Sequence, residues 1–280
     1  MSVPSVIDAH HHLWRYSPED YGWITPEMQL LRRDFLPPDL VSAMQAAGVA
    51  GSIAVQARQS IEETEWLLEL AAANPTILGV VGWAPLTSPD LPQVLRSFAG
   101  NKKLKALRHV IQDEPDDNYV LGADFNAGIA QLADAGLAYD ILIHARHLPQ
   151  ATEFVSGHPG QTFILDHCAK PDIRGGRLDP WRENLHRLAE HPNVSCKLSG
   201  LVTEANWAAW TEDEITPVLD EALRAFGAER LLAGSDWPVC LLASSYTRWW
   251  QTLFGWASKL APEQQALVLG ENARRIYRLE

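Results

Sequence analysis

The chain has 280 residues, with 23 Lys plus Arg against 35 Asp plus Glu and a formal net charge of −12. At 46% hydrophobic and 21% charged residues it has the composition of a globular protein, and its acidity excludes a phosphate-seeking, nucleic-acid role. Cys168, Cys196 and Cys240 are odd in number and widely spaced, which argues against a disulfide framework, and no apolar run reaches the roughly 18 residues of a membrane span. The start, MSVPSVIDAHHH, lacks the basic and apolar regions of a signal peptide, which predicts a cytoplasmic protein. This length fits one large domain or two small ones; no linker rich in Gly, Ser or Pro divides the chain, so one domain over residues 1–280 is expected, and the sequence leaves homo-oligomerisation open.

Short apolar runs alternate with amphipathic stretches. The strands are expected at 6–9, 51–55, 77–83, 105–110, 138–143, 162–166, 194–198 and 231–233. Helical patterns run over 38–47, 61–73, 91–99, 125–135, 150–156, 180–190, 213–226 and 246–260. Gly48, Gly136 and Gly227 each follow a helical stretch, where a C-terminal glycine belongs. Eight strand–helix units predict a closed (β/α)8 TIM barrel. The open doubly wound sheet competes, but no G-x-G-x-x-G follows the first strand, which ends in histidines instead.

Chemistry in such barrels sits at the C-terminal ends of the strands. Six of the ten histidines (His10, His11, His12, His109, His144 and His167) fall at or just beyond those ends. His10 and His12 are two apart, so both can face the barrel mouth while His11 points away. With a carboxylate from elsewhere they form a candidate divalent-metal site, joined by His144 or His167 and by Asp236. Asp236, in Gly-Ser-Asp-Trp-Pro, is a candidate ligand and general base; the alternative is a turn cap. His167 is placed to polarise a carbonyl or shuttle a proton. Arg108, His109, Arg58 and Lys197 are candidates to hold an anionic or hydroxylated substrate. Lys197 lies within a strand, where an ammonium needs a partner. Trp14, Trp23, Trp83 and Trp237 either shape a pocket or pack in the core.

Several segments carry a resemblance. Val6-Ile7-Asp8-Ala9-His10-His11-His12-Leu13-Trp14 resembles the opening of the amidohydrolase superfamily, in its amidohydrolase-2 branch. Leu165-Asp166-His167-Cys168-Ala169-Lys170-Pro171, Cys196-Lys197-Leu198-Ser199-Gly200-Leu201 and Gly234-Ser235-Asp236-Trp237-Pro238 are similar to that branch's later signatures, as is Arg108-His109 with Gln112-Asp113-Glu114-Pro115. The resemblance runs from residue 6 to about 278 and is nearest to sugar-lactone and dicarboxylate-lactone hydrolases. It implies a distorted barrel, a small-molecule lactone substrate and hydrolytic ring opening in carbohydrate metabolism. It also implies metal ligands at His10, His12, a strand-five histidine (His144 rather than His147) and Asp236. Arg108-His109 stands where binuclear members carry a bridging Lys or Glu, so one ion, zinc, is expected, with metal-free catalysis as the alternative. In that alternative His10, His12 and His144 donate directly to the carbonyl. The implied roles are Asp236 as base, with His10, His12 and His167 at the carbonyl. Arg108, His109, Arg58, Lys197 and Trp14 would surround the substrate. A decarboxylase of an unsaturated or aromatic acid on the same barrel is the second reading, and a binder that leaves its sugar acid unchanged is the third.

Overall fold

Each expected strand is present and pairs in parallel with its sequence neighbours. The strands are β1 (Ile7–His11), β2 (Gly51–Val55), β3 (Ile77–Gly82), β4 (Leu104–Val110), β5 (Ala138–Leu142), β6 (Phe163–Leu165), β7 (Val194–Leu198) and β8 (Leu231–Ala233). The computed structural model describes residues 5–280, so Met1 to Pro4 of the amino-terminal segment lie outside the described residues. The outer helices are α1 (Pro37–Ala47), α2 (Ile61–Ala73), α3 (Leu91–Phe98), α4 (Ala123–Asp134), α5 (Leu148–Ser156), α6 (Trp181–Ala189), α7 (Glu212–Phe226) and α8 (Tyr246–Ala257). Local chemistry explains their limits. Ser60 caps α2 by accepting from Glu63 N, Ser245 caps α8 by accepting from Arg248 N, and Gly48 ends α1 in the left-handed region. None of the helices is long and apolar enough to cross a membrane.

Closure is uneven, which is the distortion of this (β/α)8 barrel. Beyond β8 the chain reaches β1 through Asp236 N donating to His10 O (2.8 Å) and His12 N donating to Trp237 O (2.6 Å). Two short helices not expected from the sequence, α9 (Pro262–Ala266) and α10 (Asn272–Ile276), flank a π-turn over Leu267–Glu271. A Cβ on Gly270 would lie 2.2 Å from Ser5 O, so only glycine lets this segment pass β1 so closely. Ala273 and Tyr277 join Ile7, Ala9, Ile53, Val55, Val81, Ala106, Ile164 and Leu232 in one apolar cluster. A second, larger core packs the outer strand faces on the helices.

The register of β1 decides where the histidines point. Asp8 pairs with Ser52 and His11 with Ala54, so β1 carries one residue more than β2 across that interval. Side chains alternate along a strand, so with Ile7 and Ala9 in the inner cluster, His10 and His12 would otherwise face outward. The bulge reverses that parity and turns both imidazoles inward. His11 takes the outward place, buried and without a hydrogen-bond partner at either ring nitrogen among the described residues.

Candidate active site

The mouth of the barrel brings together residues from β1, β4, β6 and the turn after β8. His10 Nε2 lies 3.2 Å from His12 Nε2. Asp236 Oδ1 is 3.3 Å from His12 Nε2, 3.7 Å from His10 Nε2 and 4.0 Å from His167 Nε2. His12, His167 and Asp236 border a cavity of about 140 Å³ whose wall also includes Arg108, Lys170 and Trp23. Asp236 has a positive φ of 58°, a conformation that non-glycine residues adopt at a cost and often at functional positions.

The donor set fits one divalent ion. Ligands about 2.0–2.2 Å from a tetrahedral ion stand roughly 3.3–3.6 Å apart, close to the separations among His10 Nε2, His12 Nε2 and Asp236 Oδ1. His12 Nδ1 lies 2.8 Å from Val55 O, and donation there leaves the Nε2 lone pair facing the centre. His10, Asp166 and His167 form a second close group. His144 belongs to neither group, so the expected strand-five ligand is not brought to the centre. Its ring is half-buried and packs beside His147, whose Nε2 is held by Asp117 at 2.8 Å.

Beneath the histidines is a buried ionic array. Lys197 pairs with Asp140, lies 2.9 Å from Asp166 and 3.1 Å from His10 Nδ1. Tyr277 donates to Asp140 at 2.8 Å, so the carboxy-terminal segment anchors this array from below. Arg108 pairs with Asp166 at 2.9 Å and donates to Gln56 O. Burial alone would raise the Asp166 carboxyl, but Lys197, His10 and Arg108 hold it well below the usual range. Burial would also raise Asp236; His167, His12 and Lys170 outweigh it and keep it low. Burial pushes the His167 imidazole down to about 4 and that of His10 well below its ordinary value. At neutral pH the centre therefore offers a carboxylate beside the neutral imidazoles of His10 and His167.

Four residues expected to surround the substrate do not border this cavity. His109 bonds Glu114 at 2.6 Å and stacks on Tyr119, within its own loop. Arg58 pairs with Asp20 in a separate cleft that includes Glu63 and Trp66. Trp14 is fully buried, packs on Phe35 and Trp23, and donates to Arg33 O. Lys197 is fully buried below the histidines, where Asp140 and Asp166 supply the partners its strand position demanded. Arg108 alone of the expected cations borders the cavity. Trp23, one of the tryptophans expected to shape a pocket or pack in the core, borders it too, as do Lys170 and Gln112, which had not stood out in that role and whose only signal was their place within quoted motifs.

The amidohydrolase family model matches residues 7–279. An L-fucono-1,5-lactonase from Burkholderia multivorans is 43% identical, over 98% of this chain and 96% of that protein. An L-fucono-1,5-lactonase from Burkholderia ambifaria is 36% identical, again over 98% and 96%. A crystal structure of an amidohydrolase from Burkholderia multivorans with bound Zn matches with a TM-score of 0.95 at 43% identity, covering 99% of this chain and 100% of that one. With its barrel, its strand-end motifs and these matches, the chain belongs to the amidohydrolase family.

Proposed function

We propose that this amidohydrolase is a lactonase that opens a neutral sugar 1,5-lactone, of the L-fucono-1,5-lactone type, by attack of a water activated at Asp236. The observation that carries the reading is the Asp236 carboxylate, 3.3 Å from His12 and 3.7 Å from His10 on the border of a small cavity. The names of the relatives at 43% and 36% identity point to the same reaction. Lactone hydrolysis needs a base for the water and a stabiliser for the developing oxyanion. A divalent ion, for which we propose zinc, would be held by His10, His12 and Asp236 and would polarise the carbonyl. A carboxylate has two oxygens, so Asp236 can take the water's proton on the one left free. His167, with Nδ1 2.9 Å from Ser199 Oγ, keeps Nε2 toward the centre to orient water or carbonyl. Arg108, fixed by Asp166 and Gln56, contributes a guanidinium edge at the cavity wall.

The preference for a neutral ring rests on charge. A dicarboxylate lactone needs several free arginines, but Arg58, Arg108 and Arg146 are paired with Asp20, Asp166 and Asp117. A pH-indicator assay over aldono-1,5-lactones and dicarboxylate lactones, with and without chelator and added zinc, tests the reading. We expect acid release from the sugar lactones. Release of CO₂ from an aromatic acid without acid release from any lactone would replace this reading with decarboxylation.

A further inference from the structure

A buried polar atom without a partner is costly, because it forgoes the hydrogen bonds that water gave it in the unfolded chain. Three such atoms belong to residues that border the Asp236 cavity: Trp23 Nε1, Arg108 Nε and Gln112 Oε1. None has a hydrogen-bond partner among the described residues. Two are donors and one is an acceptor.

Each side chain is held by contacts that leave its polar atom over. Arg108 engages Asp166 and Gln56 through its two terminal nitrogens, so Nε–H is the part left unused. Trp23 packs edge-on against Trp14 with ring centroids 5.7 Å apart, and Trp14 is itself fixed by Phe35 and by donation to Arg33 O. Gln112 lies in the 3₁₀ turn Ile111–Asp113 that follows β4. The contact of His109 with Glu114 at 2.6 Å brackets that turn, and Val110 N donates to Gln59 Oε1 at 2.9 Å at its start. His109, itself away from the cavity, thus helps to hold a residue that borders it.

The strand order adds a direction. The strands pair in sequence from β1 to β8, so β4 stands across the mouth from β8. Asp236 follows β8 and Gln112 follows β4. A lactone whose carbonyl lies at Asp236 therefore presents the far carbons of its ring toward Gln112. In a sugar lactone those carbons carry hydroxyls. A hydroxyl both donates and accepts, so it can serve the acceptor of Gln112 and the donors of Trp23 and Arg108. A carboxylate only accepts, and would leave Gln112 Oε1 unpaired.

We propose that Trp23 and Gln112 are specificity-determining residues that, together with Arg108 Nε, hydrogen-bond the ring hydroxyls of the substrate, a role that rests on the lactonase reading above. These side chains read the hydroxyls while Asp236 and the histidines act at the carbonyl, so recognition and chemistry can be perturbed separately.

The test compares the parent enzyme with Gln112→Met and Trp23→Phe on L-fucono-1,5-lactone and on δ-valerolactone, the same six-membered ring without hydroxyls. A site built to hydrogen-bond a hydroxyl rejects an analogue that lacks it, so the parent should prefer the sugar lactone by at least about a hundredfold in kcat/KM. Methionine keeps the length of the side chain at 112 and phenylalanine keeps an aromatic face at 23, while each removes the polar atom. Per folded molecule, each variant should lose roughly ten- to a hundredfold in kcat/KM on the sugar lactone and less than about threefold on δ-valerolactone. Equal losses on both lactones would overturn the proposal and leave the two side chains as packing that shapes the cavity. A parent that opens both lactones equally well would overturn it as well. If the parent opens neither, it is the underlying lactonase reading that fails.

Discussion

Two sets of three histidines end strands in this barrel, and they differ in what holds their rings. His10, His12 and His167 lean on one another across distances of 3.2–4.0 Å around Asp236. His109 faces Glu114 of its own loop at 2.6 Å, His147 faces Asp117 of a neighbouring loop at 2.8 Å, and His144 packs on His147. The backbones differ in the same sense. The first set stands at and beyond the β1 bulge and on a left-handed run after β6, from His167 to Lys170, whereas His109 lies where β4 and β5 pair in regular register and His147 lies in a 3₁₀ turn. A histidine at a strand end becomes part of a centre when the backbone aims its ring at a carboxylate shared with other strands rather than at an acid of the loops.

The sharpest way to break this comparison is to remove the base. Asp236→Asn keeps the shape of the side chain and removes its proton affinity, so kcat should fall by roughly 10²–10⁴-fold. A retained rate with an unchanged far-UV spectrum would show that the base lies elsewhere. His12→Ala should be next, with loss of bound zinc by elemental analysis and at least about a hundredfold loss of kcat. His109→Ala and His144→Ala are the controls from the other set: each should keep full zinc content and stay within a few-fold of parental kcat. Zinc loss in His144→Ala would move that residue into the centre and dissolve the contrast.

Gly200→Ala addresses how the first set is aimed. At φ +65° an alanine pays for the left-handed conformation, and its Cβ meets His167 Nδ1 at 2.5 Å. Conformational strain of about 1–2 kcal/mol and a comparable steric term predict destabilisation of roughly 2–4 kcal/mol. Activity should fall about tenfold or more because His167 must shift. A variant with parental melting temperature and activity would mean that the turn is not held as tightly as its contacts imply.

The strands were legible because each is a short apolar run bounded by polar loops, and β8 over 231–233 matches its expected limits. The carboxy-terminal helices were not, since their apolar residues are divided between the inner cluster and the helix layer and show no single amphipathic face. The His10/His12 pairing and its facing of the mouth were readable from spacing, but what fixes that inward direction was not. That direction depends on an extra residue in β1 relative to β2, and register is a property of two strands together. Arg58 and His109 lie away from the cavity, and this was not legible because a strand-end position says nothing about which acid a loop will supply. Asp20 and Glu114 engage them, and only the fold places those carboxylates.

The smallest expected effect lies in the loop that draws Arg58 away, and it concerns stability alone. Glu63 on α2 is 2% exposed, accepts from Ala57 N and Arg58 N at 2.8 and 2.9 Å, and receives the Tyr21 hydroxyl at 3.0 Å. Burial outweighs these hydrogen bonds and pushes its carboxyl up from 4.5 to about 7. A carboxyl raised in the folded state binds its proton more tightly there than in the unfolded chain. Its contribution is therefore fully present below about pH 4.5 and is lost as pH rises through about 7. At 1.36 kcal/mol per pH unit, the stability difference between the parent and Glu63→Gln should shift by roughly 2–3 kcal/mol against the parent between pH 4.5 and 8. Urea unfolding of both proteins across that range measures it, and the subtraction removes Asp8, also raised by burial, to about 6. Activity per folded molecule should be unchanged, because this cleft belongs to the set of side chains that satisfy one another and leave the centre alone. A stability difference independent of pH would show that Glu63 keeps its ordinary acidity on folding, with its backbone donors strong enough to cancel the burial.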